Sequence, residues 1–233
     1  MNNFVLIAVF IFLLVLVQSS KAQNADDVII KYESARGGRD NMAAIKSIYI
    51  EGKRRLSDNE VPVRIIKEQN KLSRIELDTT TGTAFILITA LTGWSYFPEV
   101  SAAPELMPAD ALAWLQQELD IAGPLVDHAS KGHKAQLLGK DVIGGDECHK
   151  IKLNFKNGKD AIYWIDVSTG LLLQSIHKTA ADETKILYKN YKETGGIKFP
   201  HEIETHTGLE TEILLIDQIE LNKPIEPNMY EPK

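Results

Sequence analysis

The stretch IKLNFKNGKDAIYWI, residues 151–165, decides the fold class of this chain. Apolar and polar residues alternate on both sides of its central Asn157-Gly158 pair. A period of two residues is that of a β-strand with one buried face, and Asn-Gly favours the positive φ angles of a type I′ turn. The stretch therefore predicts a β-hairpin that joins residues 151–155 to residues 161–165.

Similar turn signals divide the rest of the chain after residue 132. They are Gly144-Gly145, Asn157-Gly158, Thr169-Gly170, Gly195-Gly196 and Thr207-Gly208. Neighbouring signals are spaced by about 13 residues, and one spacing is about twice as long. The segments between them carry apolar residues at short, strand-like intervals. Regularly spaced turns between short alternating segments predict an antiparallel meander.

The same alternation begins at residue 47 in the first half of the chain. Apolar residues recur at every second position, at Ile48 and Ile50, at Val61, Val63 and Ile65, and at Ile75 and Leu77. Residues 84–90 are nearly all apolar and predict a strand buried on both faces, with residues 93–98 as its partner. Basic and acidic side chains are interleaved between these positions, which is typical of a solvated sheet face.

Two helical regions interrupt the alternation. The first covers residues 26–44 and is predicted to stop at Gly37-Gly38, where glycine can adopt the left-handed conformation that ends a helix. Asp40 is then expected to cap a second short helix. The other region covers residues 108–119, and its apolar residues run almost all the way round, although a helix on one sheet face needs an apolar arc of only about 100°. It is therefore either packed between two surfaces or exposed on one side to a ligand.

A sheet of about ten strands has to close, split or curl, and a curled sheet has a concave face. Helices over an apolar concave face would form a cavity for a hydrocarbon chain, because burial contributes about 0.8 kcal/mol per CH₂ without directional bonding. We expect the second helical region and the neighbouring strands to line this cavity. The predicted ligand-binding residues are Phe85, Leu87, Trp94, Phe97, Leu112, Leu115 and Leu119.

The composition is that of an ordinary globular protein. Of the 233 residues, 44% are hydrophobic and 25% are charged, and the formal net charge is -6. This negative charge disfavours nucleic acid and anionic lipid headgroups as partners bound by bulk charge. Cys148 is the single cysteine, which excludes an intramolecular disulfide.

Catalytic and metal-binding motifs are missing from the sequence. The six histidines show no metal-ligand spacing, and His201 and His206 fall on opposite faces of a predicted strand. There is no nucleophile elbow, H-E-x-x-H pair, phosphate loop or EF-hand loop. We therefore expect a protein that is not an enzyme and has neither a metal nor a cofactor.

Residues 1–22 are predicted to be a cleaved secretory signal peptide. Residues 4–17 form an apolar run shorter than the roughly 20 residues of a membrane span, and Ser20-Lys21-Ala22 places small residues at the −3 and −1 positions of a cleavage site. Residues 1–3 lack Lys and Arg, which leaves a retained anchor as the alternative. We expect a soluble periplasmic protein that begins near Gln23 and forms one domain over residues 23–233.

Several different short motifs are distributed along that domain. They are YESARGG (32–38) with IKSI (45–48), TGW (92–94) with Pro98, AGPL (122–125), LGK (138–140) with Gly144, YWID (163–166) with TGL (169–171), YK (191–192) with GGIKFP (195–200), and NKPI (222–225) with Tyr230 and Pro232. Together these motifs resemble the family of outer-membrane lipoprotein-sorting proteins, the LolA-like periplasmic carriers, in the form found in Bacteroidetes.

The resemblance implies an α+β fold that is mostly β, namely a curved antiparallel sheet forming an incomplete barrel with helices covering its concave face. It implies a carrier that binds the acyl chains of lipoproteins or other lipids for transfer toward the outer membrane. Its expected partners are an acylated lipoprotein or lipid, an inner-membrane donor and an outer-membrane acceptor, with no nucleic acid. The carrier is expected to be a monomer.

Two points stay open at this stage. The best-known carrier of the family holds its lid shut with an arginine on an inner strand, and no flanking motif selects among Arg54, Arg55, Arg64 and Arg74. The fold also does not fix the cargo, because relatives accompany zinc peptidases as domains. A non-catalytic envelope interaction domain and a hydrolase using surface carboxylates or histidines are therefore the alternatives to a carrier, and the composition favours the first of these two.

Overall fold

The computed structural model of the protein describes residues 24–57, 59–178 and 183–233, with Trp114 described by its backbone alone. The predicted signal peptide lies outside these residues. The α-helices among them are α1 (Ala25–Arg36), α2 (Arg39–Ala43) and α3 (Ala109–Leu115), and 3-10 helices cover Gln116–Leu119 and Pro227–Tyr230. None of the described helices is long and apolar enough to cross a membrane.

The strands form one antiparallel sheet. They are β1 (Ser47–Leu56), β2 (Asn59–Glu68), β3 (Leu72–Thr79), β4 (Gly82–Thr89), β5 (Gly93–Tyr96), β6 (Glu105–Leu106), β7 (Lys134–Ile143), β8 (Asp146–Asn154), β9 (Asp160–Asp166), β10 (Leu172–Lys178), β11 (Glu183–Thr194), β12 (Ile197–Thr207) and β13 (Glu210–Leu221). Their order across the sheet is β6-β5-β4-β3-β2-β1-β13-β12-β11-β10-β9-β8-β7. Strands β6 and β7 are thus the two edges, and the sheet is not closed into a barrel.

This order follows from two meanders that meet in the middle of the sheet. The first runs from β1 out to the edge at β6, and the second runs from the opposite edge at β7 back to β13, which pairs with β1. Residues 107–133 connect the two edges and include α3. We call this segment the connection. The architecture confirms the predicted fold class, a curved antiparallel sheet forming an incomplete barrel with helices over its concave face.

The hairpin predicted from residues 151–165 is confirmed, but its turn differs. Strands β8 and β9 pair in antiparallel register from Cys148 opposite Asp166 to Asn154 opposite Asp160. Gly158 has a φ angle of 84°, whereas Asn157 is not among the residues with positive φ. A type I′ turn needs positive φ at both central residues. The chain instead forms a longer loop, closed by a hydrogen bond of 2.8 Å from the Phe155 N–H to the Lys159 carbonyl oxygen.

The helical regions begin and end differently from the prediction. Helix α1 begins one residue earlier, because the Asn24 side chain accepts a hydrogen bond of 2.8 Å from the Asp27 N–H. Gly37 ends α1 as predicted, with a φ angle of 122°. Gly38, and not Asp40, is the N-cap of α2. The predicted helix over residues 108–119 is shorter and continues as a 3-10 helix from Gln116.

The main core lies on the concave face of the sheet. Helix α1 contributes Val28 and Ile29, and the connection contributes Leu125 and Val126, each at most 2% exposed. They pack with buried side chains of β1, β8, β9, β12 and β13. The helix and the connection therefore cover this part of the concave face, as expected for the helices of an incomplete barrel.

Candidate functional site

A cavity of about 210 Å³ lies between the concave face of the sheet and the segments that cover it. Strands β9 to β12 form its floor, and α1 and the connection form its cover. The cavity is lined mainly by apolar and aromatic side chains, including Ile121, Leu125, Leu172, Ile186, Tyr188 and Tyr191. Such a lining can hold a hydrocarbon group by burial alone.

One end of the cavity holds the half-buried guanidinium of Arg36, at the end of α1. Its Nε donates to the Lys198 carbonyl oxygen at 3.2 Å, and its Nη1 donates to the Tyr32 hydroxyl oxygen at 3.0 Å. The guanidinium carbon lies 5.7 Å from the centre of the Tyr32 ring and 5.6 Å from that of Phe199. Among the described residues, no carboxylate forms an ion pair with Arg36.

Three more tyrosines line the same cavity. The Tyr191 hydroxyl donates to the Leu172 carbonyl oxygen at 2.8 Å, and the Tyr188 hydroxyl lies 3.0 Å from the Ser175 hydroxyl. Tyr163 is only 3% exposed, and its buried hydroxyl has no hydrogen-bond partner among the described residues. Burial raises the pKa of Tyr163 well above its ordinary value, so this phenol stays protonated and can donate.

An adjoining space of about 240 Å³ extends the cavity toward the β10–β11 hairpin. It shares Gln117, Glu118, His177 and Ile186 with the cavity and adds Leu115 and Thr184 to the lining. We call it the opening.

Two titratable groups face both spaces. The Lys67 ammonium lies 2.7 Å from the Glu118 carboxylate and holds the pKa of that carboxyl below its ordinary value. Burial lowers the pKa of His177, whose Nε2 lies 3.1 Å from the Ser175 hydroxyl. The negative charge of Glu118 therefore has its own partner, and His177 is a neutral imidazole near pH 7.

The predicted ligand-binding residues fall in different places. Half-buried Leu115 lines the opening, and Leu119 is 6% exposed in the 3-10 helix that contacts β3 and β4. Leu112 packs over β5, since a Cβ atom on Gly93 would lie 3.0 Å from its Cδ1. Phe97 packs against the small core cluster that includes Val63. Three of these four residues belong to the connection, and Phe97 directly follows β5.

Phe85, Leu87 and Trp94 lie in a separate cluster, on the other face of the sheet. They pack with Ile225, Met229 and Tyr230 of the C-terminal segment. Arg74 links this cluster to the C-terminal segment. Its guanidinium carbon lies 4.5 Å from the centre of the Phe85 ring, and its Nη1 donates to the Glu231 carbonyl oxygen at 2.8 Å. The structure therefore does not bring these three residues together with Leu115. Strand β4 is apolar on both faces, so its sequence could not indicate which face looks toward the cavity.

The four arginines considered for a lid contact also separate. Arg54 pairs with Glu212 at 2.6 Å and lies opposite Val61 and Leu214, which pack in a concave-face cluster. Arg74 is buried under the C-terminal segment, and the other two form ion pairs with exposed or partly exposed carboxylates. None of the four lines the cavity.

The sequence prediction missed the polar residues of the cavity. Tyr32 and Arg36 are four residues apart, a spacing that places both on one face of α1 and could have been noticed. Tyr188 and Tyr191 are three residues apart on β11, and strict alternation would place them on opposite faces. Asn190, with a φ angle of 53°, breaks the alternation between them. This local feature allows both tyrosines to line one cavity, and it is not visible in an apolar pattern.

The described residues offer no cluster of three or more metal-ligating side chains. Cys148 is fully buried in β8, and burial raises the pKa of its thiol to about 11. A thiol with such a pKa is a poor nucleophile at neutral pH.

No family model and no curated protein matches the sequence. Solved structures do match its architecture. A LolA superfamily protein from Nitrosomonas europaea is 16% identical, with a TM-score of 0.59 and coverage of 89% of this chain and 98% of that chain. A DUF1329 family protein from Desulfovibrio piger is 12% identical, with a TM-score of 0.63 and coverage of 89% and 97%. A structure from Vibrio parahaemolyticus, described as an outer membrane lipoprotein-sorting protein domain, is 10% identical, with a TM-score of 0.59 and coverage of 88% and 95%.

The architecture and these matches define the class of fold. The chain is an open antiparallel half-barrel whose concave face is partly covered by helices. It has the LolA-like fold, and the family resemblance predicted from the short motifs is confirmed at the level of the fold. Identities of 10% to 16% carry the fold and not the activity.

Proposed function

We propose that this protein is a periplasmic carrier that binds the acyl chains of lipoproteins or other lipids on its concave face and transfers them toward the outer membrane. The signal peptide over residues 1–22 and the single domain over residues 23–233 belong to this proposal. So do the expected partners, which are an acylated cargo, an inner-membrane donor and an outer-membrane acceptor, and the expectation that the carrier acts without catalysis.

The incomplete cover of the concave face carries the proposal. Several apolar residues that pack against the main core or against the small core cluster that includes Val63 are only partly buried. They include Ile50, Ile75, Ile203 and Leu214. The cavity and its opening lie on the same face. Each CH₂ group that a ligand buries there would contribute about 0.8 kcal/mol. A concave face with partly buried apolar side chains and an adjoining cavity is suited to binding an aliphatic chain.

The polar residues around the cavity support binding more than hydrolysis. Ser175 and His177 are in hydrogen-bond contact, but Ser175 is fully buried and shares its hydroxyl with Tyr188. A serine nucleophile needs access to the scissile bond. The LolA superfamily match and the match to a lipoprotein-sorting domain support the same choice of function.

Mass spectrometry of the native protein tests the proposal. The protein is purified from the periplasm without detergent and extracted with organic solvent, and Leu115→Asp is purified in parallel. We expect acyl-containing molecules to copurify with the parent in near-stoichiometric amount and to be strongly depleted from the variant, since a charge at the opening disfavours an aliphatic chain. An extract free of acyl chains, from a parent that also fails to take up added fatty-acyl probe, would contradict the carrier.

A further inference from the structure

Three polar side chains on the floor of the cavity form a hydrogen-bond network. The Tyr188 hydroxyl lies 3.0 Å from the Ser175 hydroxyl, which in turn lies 3.1 Å from Nε2 of His177. Ser175 is fully buried between the other two. Among the described residues, these three side chains form no further hydrogen bonds. We call Tyr188, Ser175 and His177 the network.

The network has one proton more than it can use. Each hydroxyl has one proton and the neutral His177 ring has one, which makes three donors for two hydrogen bonds. If Tyr188 donates to Ser175 and Ser175 to Nε2, the Nδ1–H of His177 is left over. If the direction is reversed, the Tyr188 hydroxyl proton is left over. Both residues line the cavity, so a donor without an acceptor faces it in either case.

Tyr163 supplies a second donor next to the network. It pairs with Ser175 across β9 and β10, and the centre of its ring lies 5.9 Å from that of His177. Tyr163 lines the cavity and is 3% exposed, and its buried hydroxyl has no partner among the described residues. Buried hydroxyls without a partner are uncommon, because leaving one unsatisfied costs the desolvation of the group. An acceptor on a ligand would satisfy it.

These donors lie where the cavity meets its opening. Ser175 pairs with Ile186 of β11, and Ile186 and His177 line both spaces. The nearby Glu118 carboxylate is paired with Lys67 at 2.7 Å, and no lysine or arginine lines the opening. An anion buried here would lack an opposite charge, which is costly. The donors therefore suit an uncharged acceptor, such as a carbonyl oxygen with its two lone pairs.

We propose that Tyr163 and the network form a subsite for the carbonyl oxygen of an acyl ester, at the junction of the cavity and its opening. The aliphatic chain of the ligand then packs on the apolar walls beside it. This inference rests on the proposed carrier function and narrows its ligand class to esterified acyl chains, as opposed to free fatty acids or plain hydrocarbons.

Competition against a fluorescent fatty-acyl probe tests the subsite. Methyl dodecanoate is compared with dodecyl methyl ether, which has a CH₂ group in place of the carbonyl, and with dodecanoate, which is an anion. We expect the ester to bind the parent about tenfold more tightly than the ether, the size expected when two neutral donors gain an acceptor. We expect dodecanoate to bind no more tightly than the ester, because its charge has no partner here.

Two tyrosine variants assign the preference to the subsite. Tyr163→Phe should lower the preference for ester over ether from about tenfold to about threefold. Its melting temperature should be equal or higher, since the change removes an unsatisfied buried hydroxyl. Tyr191→Phe is the matched control, because Tyr191 lines the same cavity but already donates its proton to the Leu172 carbonyl oxygen at 2.8 Å. It should keep the parental preference.

The outcomes separate this inference from the carrier function. Equal affinity of the parent for ester and ether, tighter binding of dodecanoate than of the ester, or full preference in Tyr163→Phe overturns the carbonyl subsite and leaves the carrier standing. Failure of the parent to bind the probe and every competitor overturns the carrier itself. The comparison of ester with ether is made on the parent protein, so it decides even if a variant does not fold.

Discussion

Leu115 and Leu119 are four residues apart in the connection, yet their surroundings differ. Leu115 is half-buried at the opening, and Leu119 is 6% exposed where the 3-10 helix meets β3 and β4. The sequence predicted both as ligand-binding residues, because both lie in one strongly apolar segment. Only the position of each side chain relative to the sheet separates a residue that borders a space from one that packs in a core.

Replacing each leucine by aspartate should therefore have different effects. Leu119→Asp buries an unpaired carboxylate, and we expect it to lower the free energy of unfolding by several kcal/mol. Leu115→Asp leaves its carboxylate near solvent, and we expect a loss of about 1 kcal/mol or less together with strongly weakened binding of a fatty-acyl probe. Urea denaturation and probe titration measure the two quantities. Equal destabilisation by both changes would mean that Leu115 is a core residue.

At the level of elements, the contact between α1 and the β11–β12 turn fixes the helix on the sheet. Gly37, at the end of α1, approaches this turn so closely that an added Cβ atom would lie 2.2 Å from the Gly196 carbonyl oxygen. The sequence predicted Gly37 as the end of a helix from its conformational freedom alone. It gave no sign of the tertiary contact, which depends on a residue more than 150 positions away.

The two adjacent glycines test this contact. Gly37→Ala and Gly38→Ala both place a side chain at a positive φ angle outside the left-handed helical region, which costs about 1–3 kcal/mol in each variant. Nothing lies within 4 Å of a Cβ atom on Gly38, whereas Gly37→Ala also forces the turn to move. We expect Gly37→Ala to destabilise the protein by at least about 2 kcal/mol more than Gly38→Ala does. Similar urea midpoints for the two variants would show that α1 does not depend on this approach.

The strands themselves were predictable where one face is polar. The hairpin of β8 and β9 was predicted from residues 151–165, but the facing of β9 was not. The structure buries Tyr163 and Ile165 in the main core and Trp164 on the opposite face, where the Lys150 ammonium lies 5.0 Å from the centre of the Trp164 ring. A strand that is apolar on both faces has no pattern from which its orientation can be read.

At the scale of the whole molecule, the order of strands creates the site. The connection has to reach from the edge at β6 to the opposite edge at β7, and it crosses the concave face on the way. The sequence predicted two groups of strands and a helix between them. It could not predict that β1 pairs with β13, because long-range pairing leaves no local signal, and this pairing is what places the connection over the cavity.

Three histidines, of which His149 is buried and His133 and His177 are half-buried, couple the stability of the whole fold to pH. Burial lowers the pKa of His133, His149 and His177 below the ordinary value of 6.5. Below about pH 6.5 the unfolded chain binds protons at these sites before the folded chain does, so stability falls as the pH is lowered. We expect the melting temperature to decrease from about pH 7.5 to 5.5, and to decrease less steeply in His177→Gln. A melting temperature that is constant or rises as the pH is lowered over this range would contradict the lowered pKa values of these side chains.

The central claim is that the concave face of this fold binds an aliphatic chain by burial. The most direct measurement is the affinity of the parent protein for a series of methyl esters of increasing chain length, which depends on the chain and not on a charged headgroup. We predict that affinity rises by up to about three- to fourfold with each added CH₂ group until the cavity and its opening are filled, and then levels off. An affinity that does not change with chain length, or no binding at any length, would contradict the account.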